Sequence, residues 1–355
     1  MGRGLARRSD SRGRAAALLT VALAFLGSAR LDAQVRVVRS LTGPVGGTQV
    51  EFVEAVRIGS LDGAHDSFGR VMSAALDRRG RVFVADDQNA TVVAFDSSGR
   101  FISRLAPKGR GPGEVERPWF VTTDGQDSIF VWDAALARLS VFSPDLRFVR
   151  SVRLPSSWNL TSIAFLPSGE MLVAAVGGGD RYGIHVADRD GSIRHALIAV
   201  DRSQNLAGFE SSLLGGSLDV MGMSTVYSRK SPYELTFLDG TEVIGRCVGP
   251  PSMTTKPEDV VEPHPSGGVW LRWQNFTHAS NVLWIDSGLV ANVILDPSKD
   301  ERTVDLVDPE CRLVRRTRLA APITFVDRAG QRILGVSNVE YPEVIVFKVE
   351  VTRTR

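Results

Sequence analysis

Apolar runs of about five residues follow one another along most of the chain, separated by short turns rich in Asp, Gly, Ser and Pro. A first unit contains an apolar run at 80–86, a second run that ends at Phe95, a turn at 96–100 and a third run from Phe101. This spacing is typical of β-strands joined by tight turns, and no segment after the N-terminus has a convincing helical period. The pattern therefore predicts an all-β protein.

The same unit returns at a near-constant interval. Its second strand begins at Val82, Ile129 and Met171, which gives intervals of 47 and 42 residues. Looser copies place second strands near 225–227, 269–271 and 333–335. Intervals of this length are typical of four-stranded propeller blades. The sequence therefore predicts six copies, whereas a two-sheet sandwich would not account for the repeat.

The ends of the chain fit a closed ring. The sixth copy has three strands between 323 and 349, and a strand-like segment at 52–58 precedes the first complete copy. Pairing of these two parts would remove an unpaired sheet edge. We therefore expect a six-bladed β-propeller over residues 50–351, closed by an N-terminal strand, with a linker at 34–49 and a C-terminal tail at 352–355.

The N-terminus has the pattern of a signal peptide. Five arginines precede an apolar stretch at 15–26, and small residues follow it. We expect a signal peptide over residues 1–33, cleaved after Ala33 or Ala29, and export by the general secretory route. The mature protein is then periplasmic or secreted. No later apolar run has the length of a membrane span, so we expect none.

Removal of residues 1–33 changes the charge of the chain. The formal net charge of the full sequence is +2, and it becomes −2 for residues 34–355 because the leader holds six Arg and two Asp. A slightly acidic body lacks the broad cationic surface that phosphate neutralisation requires. We therefore expect no nucleic-acid partner, and we expect a monomer.

Residues 60–155 resemble a known group of proteins. The segment 109–114, with Pro118 after it, and the following strand at 129–133 are similar to the repeat of NHL-type six-bladed β-propellers. The resemblance implies the fold. It leaves the activity open, because the group includes binding modules, lyases and hydrolase relatives. Asp86 and Asp133 match the repeated Asp after the second strand, for which we expect hydrogen bonding in a turn.

Two long departures from the repeat indicate a candidate surface. Residues 201–216 connect the third and fourth copies, and residues 274–302 are expected as an insertion between the second and third strands of the fifth copy. In a propeller both positions lie on the face where the chain crosses from one blade to the next. Binding groups often occupy loops on a rigid scaffold, so this crossover face is the candidate ligand surface.

Aromatic and amide side chains on this face would suit a carbohydrate, a peptide or a protein partner. An equally good structural interpretation is that 282–285 is an extra strand and that a Trp at a crossover fills a blade interface. The sequence therefore predicts a recognition protein without catalysis and without a cofactor. The expected ligand-binding residues are Arg110, Glu114, Trp158, Trp273, Asn275 and His278.

The enzymatic alternative is a calcium-dependent lactonase or hydrolase. Such a site would hold oxygen ligands at the mouth of the central channel. Asn159, Asp219 and Glu262 are the expected calcium ligands in this interpretation, with His264 as a general base. Polar residues also line channel mouths simply because water fills them.

The two cysteines are predicted to be free thiols. Export favours a disulfide, but Cys247 is expected at the crossover end of an outer strand and Cys311 in a turn on the opposite face. A seven-residue strand spans about 20 Å, well beyond the roughly 7 Å limit for bridged Cα atoms.

Overall fold

The computed structural model describes residues 38–43, 46–155, 158–177, 182–200, 206, 209, 213–319 and 322–353. The expected signal peptide, with both cleavage positions, lies outside these residues. Within the described ranges, no helix combines the length and the apolar character needed to cross a membrane.

Strands dominate the described residues and pair into six sheets of four or five strands, which are the blades of a propeller, and one two-stranded sheet. Two strands, β1 (Val38–Ser40) and β2 (Thr48–Ile58), precede the first complete blade. Blade 1 contains β3 (Val71–Leu76), β4 (Val82–Asp86), β5 (Thr91–Phe95) and β6 (Phe101–Ala106). Blade 2 contains β7 (Pro118–Thr123), β8 (Ile129–Asp133), β9 (Arg138–Phe142) and β10 (Phe148–Arg153). Blade 3 contains β11 (Trp158–Phe165), β12 (Met171–Gly177), β13 (Tyr182–Ala187) and β14 (Ile193–Ala199).

The second half of the chain repeats this order, with an additional hairpin between blades 4 and 5. Blade 4 contains β15 (Gly216–Met221), β16 (Ser224–Arg229), β17 (Glu234–Asp239) and β18 (Glu242–Val248). A hairpin of β19 (Val261–Pro263) and β20 (Val269–Leu271) follows. Blade 5 contains β21 (His278–Asp286), β22 (Leu289–Asp296), β23 (Glu301–Val307) and β24 (Leu313–Arg318). Blade 6 contains β25 (Thr324–Ala329), β26 (Arg332–Ser337), β27 (Glu343–Arg353) and β2.

Burial explains the hydrophobic pattern of the strands. Every residue of β4 and β8 is buried, because the second strand of a blade is covered on both faces by neighbouring blades. Their sequences are accordingly almost continuous apolar runs. The outer strand β6 is exposed over most of its first half. The core is therefore divided into layers between successive blades, such as the cluster that joins Val93 of blade 1 to Leu334 of blade 6.

The ring closes as the sequence predicted. β2 pairs antiparallel with β27 over its whole length, from Thr48 opposite Arg353 to Ile58 opposite Val344. β2 is the fourth strand of blade 6, so the sheet contains residues from both ends of the chain. The expected six-bladed architecture is confirmed.

The carboxylates of Asp86 and Asp133 hold turns together, as expected. Asp86 is 1% exposed and accepts hydrogen bonds from the backbone N–H groups of Gly69 (2.9 Å) and Arg70 (3.1 Å). Asp133 is completely buried and accepts one from Glu116 N–H at 2.6 Å. Each carboxylate therefore fixes the chain that enters its blade.

The fifth blade differs from the expectation. The segment 269–271, expected as its second strand, lies instead in the two-stranded hairpin before the blade. The segment 274–302, expected as an insertion, contains β21 and β22, which are the first two strands of the blade. The extra chain therefore lies between blades 4 and 5, at residues 249–277. A short apolar run shows that a strand is present but not which sheet it joins.

The prediction of two free thiols is wrong. Cys247 of β18 and Cys311 form a disulfide with a Cα–Cα distance of 5.3 Å. Cys311 does lie in the turn between the third and fourth strands of blade 5, but that turn packs against the outer strand of blade 4. Strand twist rotates the outer strand away from the direction of the inner ones, so strand ends that look opposite in a flat blade meet between neighbouring blades.

Part of the expected linker at 34–49 covers this disulfide. β1 pairs parallel with β18, and its Arg39 lies opposite Cys247. Thr42 N–H then donates a 3.0 Å hydrogen bond to the carbonyl of Cys311. The N-terminal segment thus adds a fifth strand to blade 4 and connects it to blade 5.

Candidate functional site

A large cavity follows the axis of the propeller. Its volume is about 960 Å³, and it is lined by the inner strands β3, β7, β11, β15, β21 and β25. These strands begin at the crossover face and end at the opposite face, which carries the turns between first and second strands. The wall between the two ends carries hydroxyl and amide groups, from Ser73, Thr122, Thr161, Ser162, Ser217, Ser280, Asn281 and Thr324.

The mouth on the opposite face is strongly charged. Arg189 of blade 3 forms a 2.7 Å ion pair with Asp124 of blade 2. Arg328, near the end of β25 in blade 6, forms a 2.6 Å ion pair with Asp219 of β15 in blade 4 and also donates to the carbonyl of Val220 at 2.9 Å. These pairs connect different blades at the rim of the cavity. A ligand at this mouth would meet guanidinium groups whose positions are fixed.

One carboxyl group of this mouth is only weakly acidic. Asp327 of β25 accepts a 2.7 Å hydrogen bond from the backbone N–H of Leu76 through Oδ2. Desolvation raises the pKa of Asp327 to about 7, which outweighs the effect of this hydrogen bond. Asp327 therefore carries less negative charge at neutral pH than an exposed aspartate does.

A lysine lies at the other end of the cavity. Lys230, in the loop between the second and third strands of blade 4, lines the channel, and its Nζ is 5.5 Å from the centre of the Trp273 ring. Desolvation lowers the pKa of this lysine to about 8. The channel therefore has a basic group near the crossover face as well as arginines at the opposite mouth.

The two long connections pack together on the crossover face. Leu206, Leu213 and Leu214, from the connection between blades 3 and 4, share an apolar cluster with Val260 and Phe276 from the connection between blades 4 and 5. Burial of these side chains joins the described residues of two connections that the repeat does not require. The described residues of the two connections thus form a packed layer on the crossover face.

This layer contains three of the expected ligand-binding residues, Trp273, Asn275 and His278, which differ in their exposure to solvent. Trp273 is 38% exposed, and its ring is 5.2 Å from that of His278. His278 is 3% exposed, and its Nδ1 lies 2.6 Å from the carbonyl of Phe276. Burial lowers the pKa of His278 to about 4. Asn275 is exposed, so Trp273 and Asn275 can meet a ligand, whereas His278 supports the layer from below.

Arg110 and Glu114 lie in the glycine-rich connection between blades 1 and 2. Arg110 is on the surface, 3.3 Å from Glu116. Glu114 accepts a 2.7 Å hydrogen bond from the backbone N–H of Gly111 and lies so close to Gly109 that a side chain there would clash with it. Glu114 therefore shapes its own loop.

Trp158 begins the inner strand of blade 3. Its ring stacks on His185 of the same blade at 4.0 Å, and the residue is half-buried against the core between blades 2 and 3. This position agrees with the structural interpretation that a Trp at a crossover fills a blade interface.

The expected calcium ligands occupy three different places. Asn159 is at the crossover end of β11, Asp219 is the fourth residue of β15 and pairs with Arg328, and Glu262 is on the hairpin strand β19. Glu262 is 2.5 Å from Arg272. No three His, Cys, Asp or Glu side chains lie together as a metal site within the described ranges. Calcium binding stays a prediction.

Sequence reasoning named Asp219 but missed the other charged residues that line the cavity. Lys230, Arg328 and Asp327 belong to no motif. Asp327 and Arg328 line the channel through the inner strand β25, and Lys230 through the loop between the second and third strands of blade 4. The sequence could have indicated these residues only through their position in the repeat, because the inner strand of each propeller blade lines the channel. The repeat placed the first strand of blade 6 correctly but misplaced that of blade 5, so the channel lining as a whole was not predicted.

Comparison with known proteins supports the fold. A family described as "6-bladed beta-propeller" matches residues 69–171. The sequence matches no curated protein. The six-bladed propeller is thus supported by an independent observation.

Solved structures resemble most of the chain at low sequence identity. A "Putative exported protein" from Bacteroides fragilis has a TM-score of 0.61 and 12% identity, over 89% of this chain and all (100%) of that one. A member of the DUF4221 family from Bacteroides vulgatus has a TM-score of 0.56 and 10% identity, over 86% and 99%. The PQQ-bound aldose sugar dehydrogenase from Streptomyces coelicolor has a TM-score of 0.51 and 13% identity, over 86% and 100%. Identities this low show a shared fold alone.

Proposed function

We propose that the chain is an exported recognition protein that binds a small polar ligand in its central channel without catalysis. The observation that carries this proposal is the cavity of about 960 Å³, lined by hydroxyl and amide groups and ringed by fixed charges. This volume is at the upper end of the usual range for ligand pockets, about 300 to 1,000 Å³. A carbohydrate unit or the end of a peptide has the matching size and polarity.

The crossover face is the second candidate surface. The specific observation in its favour is the exposed ring of Trp273 beside Lys230, with the exposed Asn275 in the same turn. An aromatic ring with neighbouring polar groups can stack against a sugar. A ligand that extends out of the channel could touch both surfaces, since Lys230 belongs to both.

Export is part of the proposal. It is supported by the signal-peptide pattern of residues 1–33 and by the Cys247–Cys311 disulfide, since such bonds persist in oxidising compartments. The similar fold of a protein named as exported agrees with it. An affiliation with NHL-type propellers also belongs to the proposal and rests on the motifs of residues 60–155.

The calcium-dependent hydrolase is the alternative function. Asp219 and Glu262 are each neutralised by an arginine, which makes them poor candidates for a shared cation. Thermal unfolding with calcium and with a chelator tests this alternative. A large calcium-dependent rise in the unfolding temperature would favour the hydrolase over the recognition protein.

A channel-filling variant tests the proposed site. A panel of mono- and disaccharides and short peptides is screened by thermal shift, and hits are measured by isothermal titration calorimetry. Thr324 lines the channel and is half-buried, so Thr324→Trp should weaken binding by tenfold or more. Thr352→Trp, on the exposed end of β27, is the matched control and should bind as the wild type does.

Two results would contradict the proposal that the ligand binds in the central channel. Binding that survives Thr324→Trp but is lost in Trp273→Ala would move the ligand to the crossover face. A panel without any hit would contradict recognition of these ligand classes.

A further inference from the structure

Positive charge exceeds negative charge around the channel. Among the residues that the structure describes, seven cationic side chains and five carboxylates line it or form an ion pair with a lining residue. The cations are Arg78, Arg79, Arg81, Arg189, Lys230, Arg328 and Arg332, and the carboxylates are Asp77, Asp124, Asp127, Asp219 and Asp327. Weak ionisation of Asp327 increases the excess further.

Four of the carboxylates are already engaged. Asp124 and Asp219 hold Arg189 and Arg328, as described above. Asp77 forms a 2.6 Å pair with Arg81, and Asp127 is 3.1 Å from Arg78. The ion pairs at the mouth are therefore complete without Arg332.

Arg332 differs from these arginines. It begins β26, is half-buried, and packs so closely over Gly80 of blade 1 that a side chain at Gly80 would clash with its Nη1. Among the described residues, no carboxylate pairs with it and no hydrogen bond of its guanidinium is found. Its cross-strand neighbours are Ala329 and the cationic Lys348. The guanidinium is thus held in the channel wall with its charge uncompensated.

We propose that Arg332 binds the carboxylate of a small acidic sugar in the channel. This inference rests on the proposed function and adds the class of ligand. A guanidinium presents two parallel N–H donors that match a carboxylate. A single unpaired arginine suits a monoanion, while the hydroxyl-bearing wall suits the sugar ring. Uronic acids combine these two features.

Paired titrations test the inference. Isothermal titration calorimetry at low ionic strength compares glucuronate with glucose, which has the same ring without the carboxylate. We expect glucuronate to bind the wild type at least tenfold more tightly than glucose. Arg332→Gln should abolish this preference, and Arg332→Lys should retain part of it because the charge remains. Arg147→Gln removes an exposed arginine far from the channel lining and should behave as the wild type.

The remaining outcomes separate the two proposals. Equal binding of both sugars, unchanged by Arg332→Gln, would overturn the inference and leave the channel proposal standing. Competition by inorganic phosphate with the affinity of glucuronate would show a general anion site and overturn the choice of a carboxylate. No binding of either sugar would overturn the sugar-acid inference, while the ligand panel still decides on the channel. Unchanged thermal unfolding of Arg332→Gln confirms that the variant is folded.

Discussion

His278 shows how a side chain from a candidate site becomes part of the structure. Its residue type and its position beside Trp273 suggested a ligand contact. Its ring instead stacks on Phe276 at 4.8 Å and lies 5.2 Å from Trp273, and almost none of it is exposed. The low pKa follows because the protein interior disfavours the charged imidazolium, and Lys230 adds repulsion. At neutral pH the histidine is therefore uncharged.

This burial predicts a pH-dependent stability. The pKa of His278 is about 4 in the folded protein and 6.5 in the unfolded reference, so the unfolded chain binds the proton more strongly. Stability that is complete above pH 6.5 should decline as the pH falls towards 4, by about 3 kcal/mol. Urea unfolding of the wild type and of His278→Phe between pH 7 and 4 measures it. The variant should lose less stability on acidification.

The control for this measurement is His195→Phe, because His195 is exposed. It should keep the pH slope of the wild type. An identical slope in the wild type and His278→Phe would contradict the assignment of the titration to this residue.

The disulfide and the fifth blade both depend on which strands and turns contact each other. Local pattern correctly located the turn that holds Cys311 and the strand that holds Cys247. Which turn meets which strand depends on twist and on blade packing, and neither is visible in a local window. The same holds for 269–271, which forms a strand but pairs with 261–263 rather than with blade 5.

The disulfide is expected to stabilise the protein strongly. It closes a loop with a sequence separation of 64 residues, and the chain-entropy model gives roughly 4 kcal/mol for a loop of this length. The double variant Cys247→Ala with Cys311→Ala should therefore unfold at a lower urea concentration. Reduction of the wild type should lower the midpoint in the same direction. Two free thiols in the wild type by mass spectrometry, or an unchanged midpoint, would count against the crosslink.

The whole molecule depends on a sheet formed by both termini. β2 contributes Val56 and Ile58 to the core between blades 6 and 1, and Phe52 to the core between blades 5 and 6. Removal of β2 would expose these cores and leave β27 as an open edge. Closure is thus a condition for the ring rather than a local contact.

Two truncations test this closure. A chain that begins at residue 59 lacks β2 and should lose cooperative thermal unfolding or aggregate during size-exclusion chromatography. A chain that begins at residue 46 lacks β1 but keeps β2, and it should remain a folded monomer with modestly lower stability. Equal thermal unfolding of the two chains would show that β2 does not close the propeller.

The sequence by itself determined most of the strands outside the fifth blade, the number of blades and the closing partner. These features depend on local period and on the repeat, because a buried second strand must be apolar wherever its blade stands in the ring. The sequence also identified the roles of Asp86 and Asp133, since each carboxylate accepts hydrogen bonds from turns of its own blade.

Only the tertiary structure showed which residues line the cavity, that the two cysteines form a disulfide, and that the additional segment lies between blades 4 and 5. Arg332 and Lys230 face the same channel although 102 residues separate them in the sequence. Both positions depend on how different blades pack around the axis, and a one-residue shift in the register of a strand would turn its side chains away from the channel. No pattern within a single repeat contains that information.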